Sequence, residues 1–313
     1  MDTAMIFPGQ GSQFVGMGKD LADEFSLARE MFLEANDILG FNLSKVCFEG
    51  DAETLTETRN AQPAILLISS ILSAIMKEEE GIEPKMVAGH SLGEYSALVS
   101  AGVFDWRDAL KIVRRRGELM FEAGLKQPGT MGAILGLSQE EVEEICREAS
   151  GEEIVVIANI NSPGQIVVSG HIGAVKKAMG FATEKGARKV VQLNVSGAFH
   201  SPLVASAQNE LTSYIREFPM NDSPVGIICN ADAKIIHKKE EIIDALSRQL
   251  TSPVRWLESM RVLIDNWNGS VLEVGPGRVL AGLMKRIDRA VPVQTVGTVE
   301  ELMKVIAPEI EMG

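Results

Sequence analysis

Gly89-His90-Ser91-Leu92-Gly93 fits the pattern G-x-S-x-G, between a short apolar run at 85–88 and a helical stretch at about 94–101. A serine on a strand-to-helix turn between two glycines has the setting of a nucleophile elbow. The turn presents the hydroxyl at a helix N-terminus, where backbone N–H groups such as that of Leu92 stabilise an oxyanion. That is chemistry for acyl transfer through an acyl-serine. The same five residues also read as a plain glycine-rich turn with a capping serine, so the partners of Ser91 decide between the two.

A serine nucleophile needs a base, and the chain has four histidines. His90 adjoins Ser91, and neighbouring side chains diverge at a sharp turn. His171 follows a short strand and reads as a helix cap. His237, among Ile236, Lys238, Lys239 and Glu240, reads as solvated surface. His200 lies where a small inserted unit rejoins a larger one, and sites favour such seams. His200 is therefore the base by elimination; without Ser91 it would read as a packed loop histidine. Hydrolase triads add an acid before the histidine, yet no aspartate between Ser91 and His200 stands out. Asp105 and Asp108 start a helix, where capping explains them. The expectation is a Ser–His dyad whose histidine is oriented by something other than a carboxylate.

On a helix at 108–122, with about 100° per residue, Ala109, Ile112, Val113 and Met120 share one face. Arg116 falls in the middle of that face, with Gly117 beside it. An inward arginine needs an anionic partner. That partner is either an internal Asp or Glu, or a substrate carboxylate gripped by the guanidinium fork. The sequence leaves both open. The loop Pro8-Gly9-Gln10-Gly11-Ser12-Gln13 is not a nucleotide loop, because Phe14 replaces the third glycine and Met17 the phosphate-loop lysine. It either offers the Gln10 N–H as a second oxyanion donor or is a structural turn.

The elements that must position these residues read as alternating strands and helices, hence an α/β fold with a mostly parallel sheet. Strands are expected at 5–7, 85–88, 225–229 and 271–274. Helices are expected at 63–78 (Pro63 near the first turn), 94–101, 203–218, 239–250 and 256–267. The middle of the chain has its own order: a strand at 131–137, a helix at 138–149 opened by a capping box, and a strand at 154–160. A turn at 161–164, a strand at 166–169, a helix at 174–185 and a strand at 189–195 follow. That β-α-β-β-α-β order is ferredoxin-like. The domains expected are a small one at 128–196 inserted into a larger one at 1–127 and 197–313.

The chain has 313 residues and a net charge of −13, which argues against nucleic acid as a partner. Its three cysteines, Cys47, Cys146 and Cys229, give no disulfide framework or metal spacing. No signal peptide is visible at the N-terminus. The longest charge-free apolar stretch, 61–76, reads as too short and too polar to span a bilayer. A cytoplasmic monomer without a membrane partner is the expectation.

Taken in order, Phe7-Pro8-Gly9-Gln10-Gly11-Ser12-Gln13, Gln62-Pro63-Ala64, Gly89 through Ala97, Arg116-Gly117, Asn161 through Gln165, Gly197 through Ser201, Gln249 with Pro253-Val254, and Glu273 through Gly277 span most of the chain. Together they resemble the malonyl-CoA:acyl carrier protein transacylase family of fatty acid synthesis. The resemblance implies a hydrolase-like α/β domain carrying a ferredoxin-like one. It implies Ser91 as acylated nucleophile, His200 as base, and Gln10 and Leu92 as oxyanion donors. Arg116 would hold the malonate carboxylate, and Gln249 would orient His200 through its backbone carbonyl. Gln62, Asn161 and Phe199 would border the acyl pocket, Phe199 fitting the malonyl-selective members. The chemistry implied is ping-pong, with malonyl-CoA and holo-acyl carrier protein as substrates, CoA as product, and no metal or other cofactor. A free-standing acyltransferase of polyketide synthesis and, further off, a serine hydrolase or thioesterase are the alternatives. An acidic carrier meeting this acidic chain implies a local basic surface; Lys176, Lys177, Lys185, Arg188, Lys189, Lys285, Arg286 and Arg289 are the candidates.

Overall fold

The computed structural model describes residues 2–307. Ten strands are present among them: β1 Thr3–Phe7, β2 Pro84–Gly89, β3 Gly129–Leu135, β4 Val155–Ser162, β5 Gln165–His171, β6 Lys189–Gln192, β7 Gly226–Ile228, β8 Ile235–Ile236, β9 Ser270–Val274 and β10 Val293–Val296. The first sheet runs β10-β9-β1-β2-β7-β8, parallel throughout except for the β7–β8 pair. Every residue of β1 is buried, as a central parallel strand covered on both faces requires. The second sheet, β4-β5-β3-β6, is wholly antiparallel. With the helices Gln139–Ala149 and Ile172–Glu184 it has the ferredoxin-like order. The capping box forms as read: Ser138 Oγ accepts from the Glu141 N–H, and Glu141 Oε2 from the Ser138 N–H.

Several boundaries differ from expectation. The helix expected from Pro63 runs Thr58–Glu80, with Pro63 well inside it. Proline cannot donate to the carbonyl four residues back, that of Arg59. Arg114 Nη1 donates to that oxygen instead, at 2.9 Å, so the helix survives on a bond from its neighbour Trp106–Lys126. The longer helix is apolar enough to cross a membrane by length and composition, contrary to the shorter reading. However, 83% of that apolar window is buried inside the protein. Asn161 and Ser162 belong to β4, leaving Pro163-Gly164 as the turn. β6 is shorter than expected, and the helix expected at 203–218 is a 3-10 turn, Pro202–Val204, followed by Ala205–Ile215. Four helices between Lys19 and Thr56, and the elements Val279–Ile287, β10 and Val299–Ile306, were not anticipated.

Two contacts position the site. Gly117 lets the helices Thr58–Glu80 and Trp106–Lys126 approach closely, since a Cβ there would lie 2.7 Å from the Arg59 Cα. The edge strand β4 is tied to the other unit by reciprocal backbone bonds, Ile160 N–H to Val254 O at 2.9 Å and Val254 N–H to Ala158 O at 2.8 Å. That second contact anchors the segment following Gln249.

Candidate active site

The turn after β2 is an elbow built by exclusion. Ser91 has φ 52°, a left-handed conformation costly for a residue with a side chain. A Cβ on Gly89 would lie 1.9 Å from Gly93 O, and one on Gly93 would lie 2.1 Å from Phe7 O. Only glycine fits at either place. Asn230 staples the turn: its Oδ1 accepts from the Ser91 N–H at 2.7 Å, and its Nδ2 donates to Gly89 O at 2.6 Å.

Ser91 Oγ and His200 Nε2 are 2.8 Å apart. His200 also holds a positive φ, 56°, and is 4% exposed. Its Nδ1 lies 3.0 Å from Gln249 O and 3.2 Å from Ser252 O. Carbonyl oxygens only accept, so these partners place the proton on Nδ1 and leave the Nε2 lone pair to the serine hydroxyl. Burial, reinforced by the charge of Arg116, pushes the His200 pKa down to about 3. The imidazole is therefore neutral around pH 7 without a carboxylate beside it. The histidine is held by backbone carbonyls, the non-carboxylate orientation anticipated from the missing acid.

Arg116 is 1% exposed. Its Nη1 donates to Gln62 Oε1 at 2.7 Å; its Nη2 donates to Gln249 Oε1 at 2.9 Å and to Ser91 Oγ at 3.1 Å. Its guanidinium carbon stands 5.5 Å from the centre of the Tyr95 ring. Arg116 joins none of the ion pairs among the described residues, and its Nε is buried without a hydrogen-bond partner. The internal carboxylate contact that the sequence left open is thus replaced by neutral amide oxygens.

Gln249 touches all three groups: its carbonyl faces His200, its Oε1 faces Arg116, and its Nε2 donates to Ser91 O at 3.0 Å and to Glu94 Oε2 at 2.6 Å. The backbone N–H groups of Gln10 and Leu92 are engaged by no other described residue. A Cβ on Gly9 would lie 2.3 Å from His90 O, so glycine there lets the Gln10 loop close on the elbow. Gln62, expected at the acyl pocket, is fully buried and holds Arg116; its own Nε2 donates to Thr58 Oγ1, which in turn donates to Gln10 Oε1. Asn161 Oδ1 lies 2.8 Å from His90 Nε2, which engages His90 away from the serine. Phe199 is buried in the main core, directly before His200. His171 occupies the N-cap position of its helix, but its ring caps nothing there; Nδ1 accepts from the Ile154 N–H instead. His237 is exposed, as read.

Sequence reasoning missed Asn230 and Glu94. Nothing local marks Asn230, which meets Ser91 across 139 positions. Glu94 left a weak signal, as the one charged residue in the stretch from Gly93 to Gly102. Among the described residues no group of three or more His, Cys, Asp or Glu converges as a metal site needs. A cavity of about 470 Å³ at the opposite end of β2, lined by Met31, Glu34, Ser70, Ile82, Pro84 and Trp106, contains none of Ser91, His200, Arg116 or Gln249.

A serine on a strand-to-helix elbow, facing a neutral histidine above a mostly parallel sheet, is the arrangement that α/β enzymes with a serine nucleophile use. Similarity to known proteins narrows this. Residues 4–304 match the acyl transferase domain family, and the chain belongs to it. It is 45% identical over 287 residues to the malonyl CoA-acyl carrier protein transacylase of Bacillus subtilis (strain 168), covering 91% of this chain and 90% of that one. The acyl carrier protein S-malonyltransferase of Vibrio cholerae superposes with a TM-score of 0.93 at 39% identity, covering 97% and 100%. A malonyl-transacylase solved in complex with a type II PKS acyl-carrier protein gives 0.94 at 39%, covering 98% and 99%.

Proposed function

We propose that this chain moves a malonyl group from malonyl-CoA to the phosphopantetheine thiol of holo-acyl carrier protein, supplying fatty acid synthesis in the cytoplasm. The observation that carries the reading is Arg116, a buried cation aimed at the serine hydroxyl with no carboxylate in contact. Malonyl-CoA brings the missing anion, and acylation of Ser91 places the free malonyl carboxylate beside the guanidinium.

His200 Nε2 takes the Ser91 proton as Oγ bonds to the thioester carbon. The oxyanion of the tetrahedral intermediate is met by the N–H groups of Leu92 and Gln10. Collapse breaks the C–S bond, and the CoA thiolate takes the proton from His200. In the second half His200 accepts the proton of the carrier thiol. The thiolate attacks the malonyl ester, and the proton returns to Ser91 Oγ as the C–O bond breaks. These steps call for no metal or redox cofactor. Similarity to a transacylase bound to a type II PKS carrier also supports a polyketide carrier as acceptor.

A base held neutral by burial gives a pH signature. The neutral form is present above about pH 3 and is lost only as pH falls through that value. Acylation by acetyl-CoA, which has no free carboxylate to engage Arg116, is therefore expected to show no histidine inflection near pH 6.5; an inflection there would mean that His200 titrates normally.

The acceptor is tested by supplying malonyl-CoA with holo carrier from fatty acid or polyketide synthesis, or with no carrier. Malonyl-carrier is expected to outrun free malonate by orders of magnitude; comparable release to water would make the protein a hydrolase. Of the basic candidates for docking, Lys185 is occupied by Glu144 and Glu148, and Arg286 by Gln165. Lys285 and Arg289 are exposed and outside the ion pairs among the described residues. Charge reversal at both is the variant arm of this assay, expected to slow the carrier step.

A further inference from the structure

The mechanism leaves one buried carboxyl group beside the site without a task. Glu94 is 2% exposed, and its Oε2 accepts from Gln249 Nε2 at 2.6 Å and from the Asn230 N–H at 3.4 Å. Both donors belong to residues that hold Ser91. A carboxylate buried this deeply is unfavourable unless hydrogen bonds and an opposite charge compensate it. The opposite charge is Arg116, one amide group away: Gln249 turns Oε1 to the guanidinium and Nε2 to the carboxylate.

That arrangement admits only one orientation of the Gln249 amide. A guanidinium only donates and a carboxylate only accepts. Flipping the amide would set Nε2 against Arg116 and Oε1 against Glu94, two repulsive contacts in place of two bonds. A carboxylate in direct contact with Arg116 would occupy the fork. One amide away it offsets the charge without touching the guanidinium, whose partners are the neutral oxygens of Gln62, Gln249 and Ser91.

We propose that Glu94 is a positioning residue for acyl selectivity: it locks the Gln249 amide with its oxygen on Arg116 and serves as the remote counter-charge of a guanidinium that has only neutral partners until a substrate carboxylate arrives. The inference rests on reading Arg116 as the malonyl clamp. Burial raises the Glu94 pKa to about 7, so the carboxylate is fully charged only above that pH, and the test is run near pH 8.5.

The test measures kcat/KM for serine acylation by malonyl-CoA and by uncharged acetyl-CoA, in Glu94→Gln, Arg116→Ala and the double variant, with thermal unfolding as the check on folding. Glu94→Gln is expected to lower the malonyl-to-acetyl ratio about tenfold, the scale of one hydrogen bond to a charged group. The double variant is expected to show the ratio of Arg116→Ala alone, because the two act through one contact. A merely structural role would lower both substrates in parallel, and an unchanged ratio in folded Glu94→Gln overturns the proposal. So does a further change of ratio in the Arg116→Ala background. If Glu94→Gln does not fold, Glu94→Asp, which keeps the charge but withdraws it by one methylene, is read for the same fall in ratio. If Arg116→Ala leaves the ratio intact, the clamp and this inference fail together. If only the Glu94 variants leave it intact, the clamp stands and this inference alone fails.

Discussion

Ser91→Ala is expected to stay folded, take up no malonyl group, and transfer at a rate lowered about 10⁴-fold or more. Ser91 Oγ lies 2.8 Å from a neutral imidazole and 3.1 Å from a guanidinium. It donates to the first and accepts from the second, so the base and the positive charge both favour the developing alkoxide. Alanine adds nothing that collides at φ 52° and removes only the reacting atom. His200→Ala is expected to cost nearly as much, and the double variant little more than either, because nucleophile and base act as one unit. Carrier malonylation rates of the two single variants and the double check this; losses that multiply would contradict a dyad.

The second large effect concerns selectivity. Arg116→Ala is expected to reduce acylation by malonyl-CoA about 10²- to 10³-fold relative to acetyl-CoA, the range for deleting one member of a buried charged pair. Its cost to folding is smaller. Arg116 contacts Gln62 and Gln249 through neutral oxygens, so its loss strands two amide acceptors, and Glu94, which it does not touch, can take up a proton in place of the lost charge. Acylation rates with the two CoA esters measure it. Equal losses on both would make Arg116 a structural residue.

What the sequence made legible was local. The elbow glycines, the Ser138 capping box and the β-α-β-β-α-β order each depend on residues within a few positions of one another. Arg116 was legible as an inward charge because helical periodicity is itself local. Its partners were not, since Gln62 and Gln249 stand 54 and 133 positions away. The same distance hid Asn230. The start of the helix Thr58–Glu80 was misread for a related reason: the bond that lets Pro63 sit inside it comes from Arg114 on another helix. The helices Lys19–Glu24 and Ser26–Leu39 lack the side-chain caps that would have marked them, their N-cap positions being Gly18 and Phe25.

The central claim is that Ser91 carries the malonyl group between two thiols. Peptide mass mapping after mixing the protein with malonyl-CoA, followed by holo- or apo-acyl carrier protein, tests it most directly. The account predicts a malonyl ester on Ser91 that holo carrier removes, gaining the group itself, while apo carrier leaves it in place. A label on another residue, or one that holo carrier cannot discharge, would contradict it.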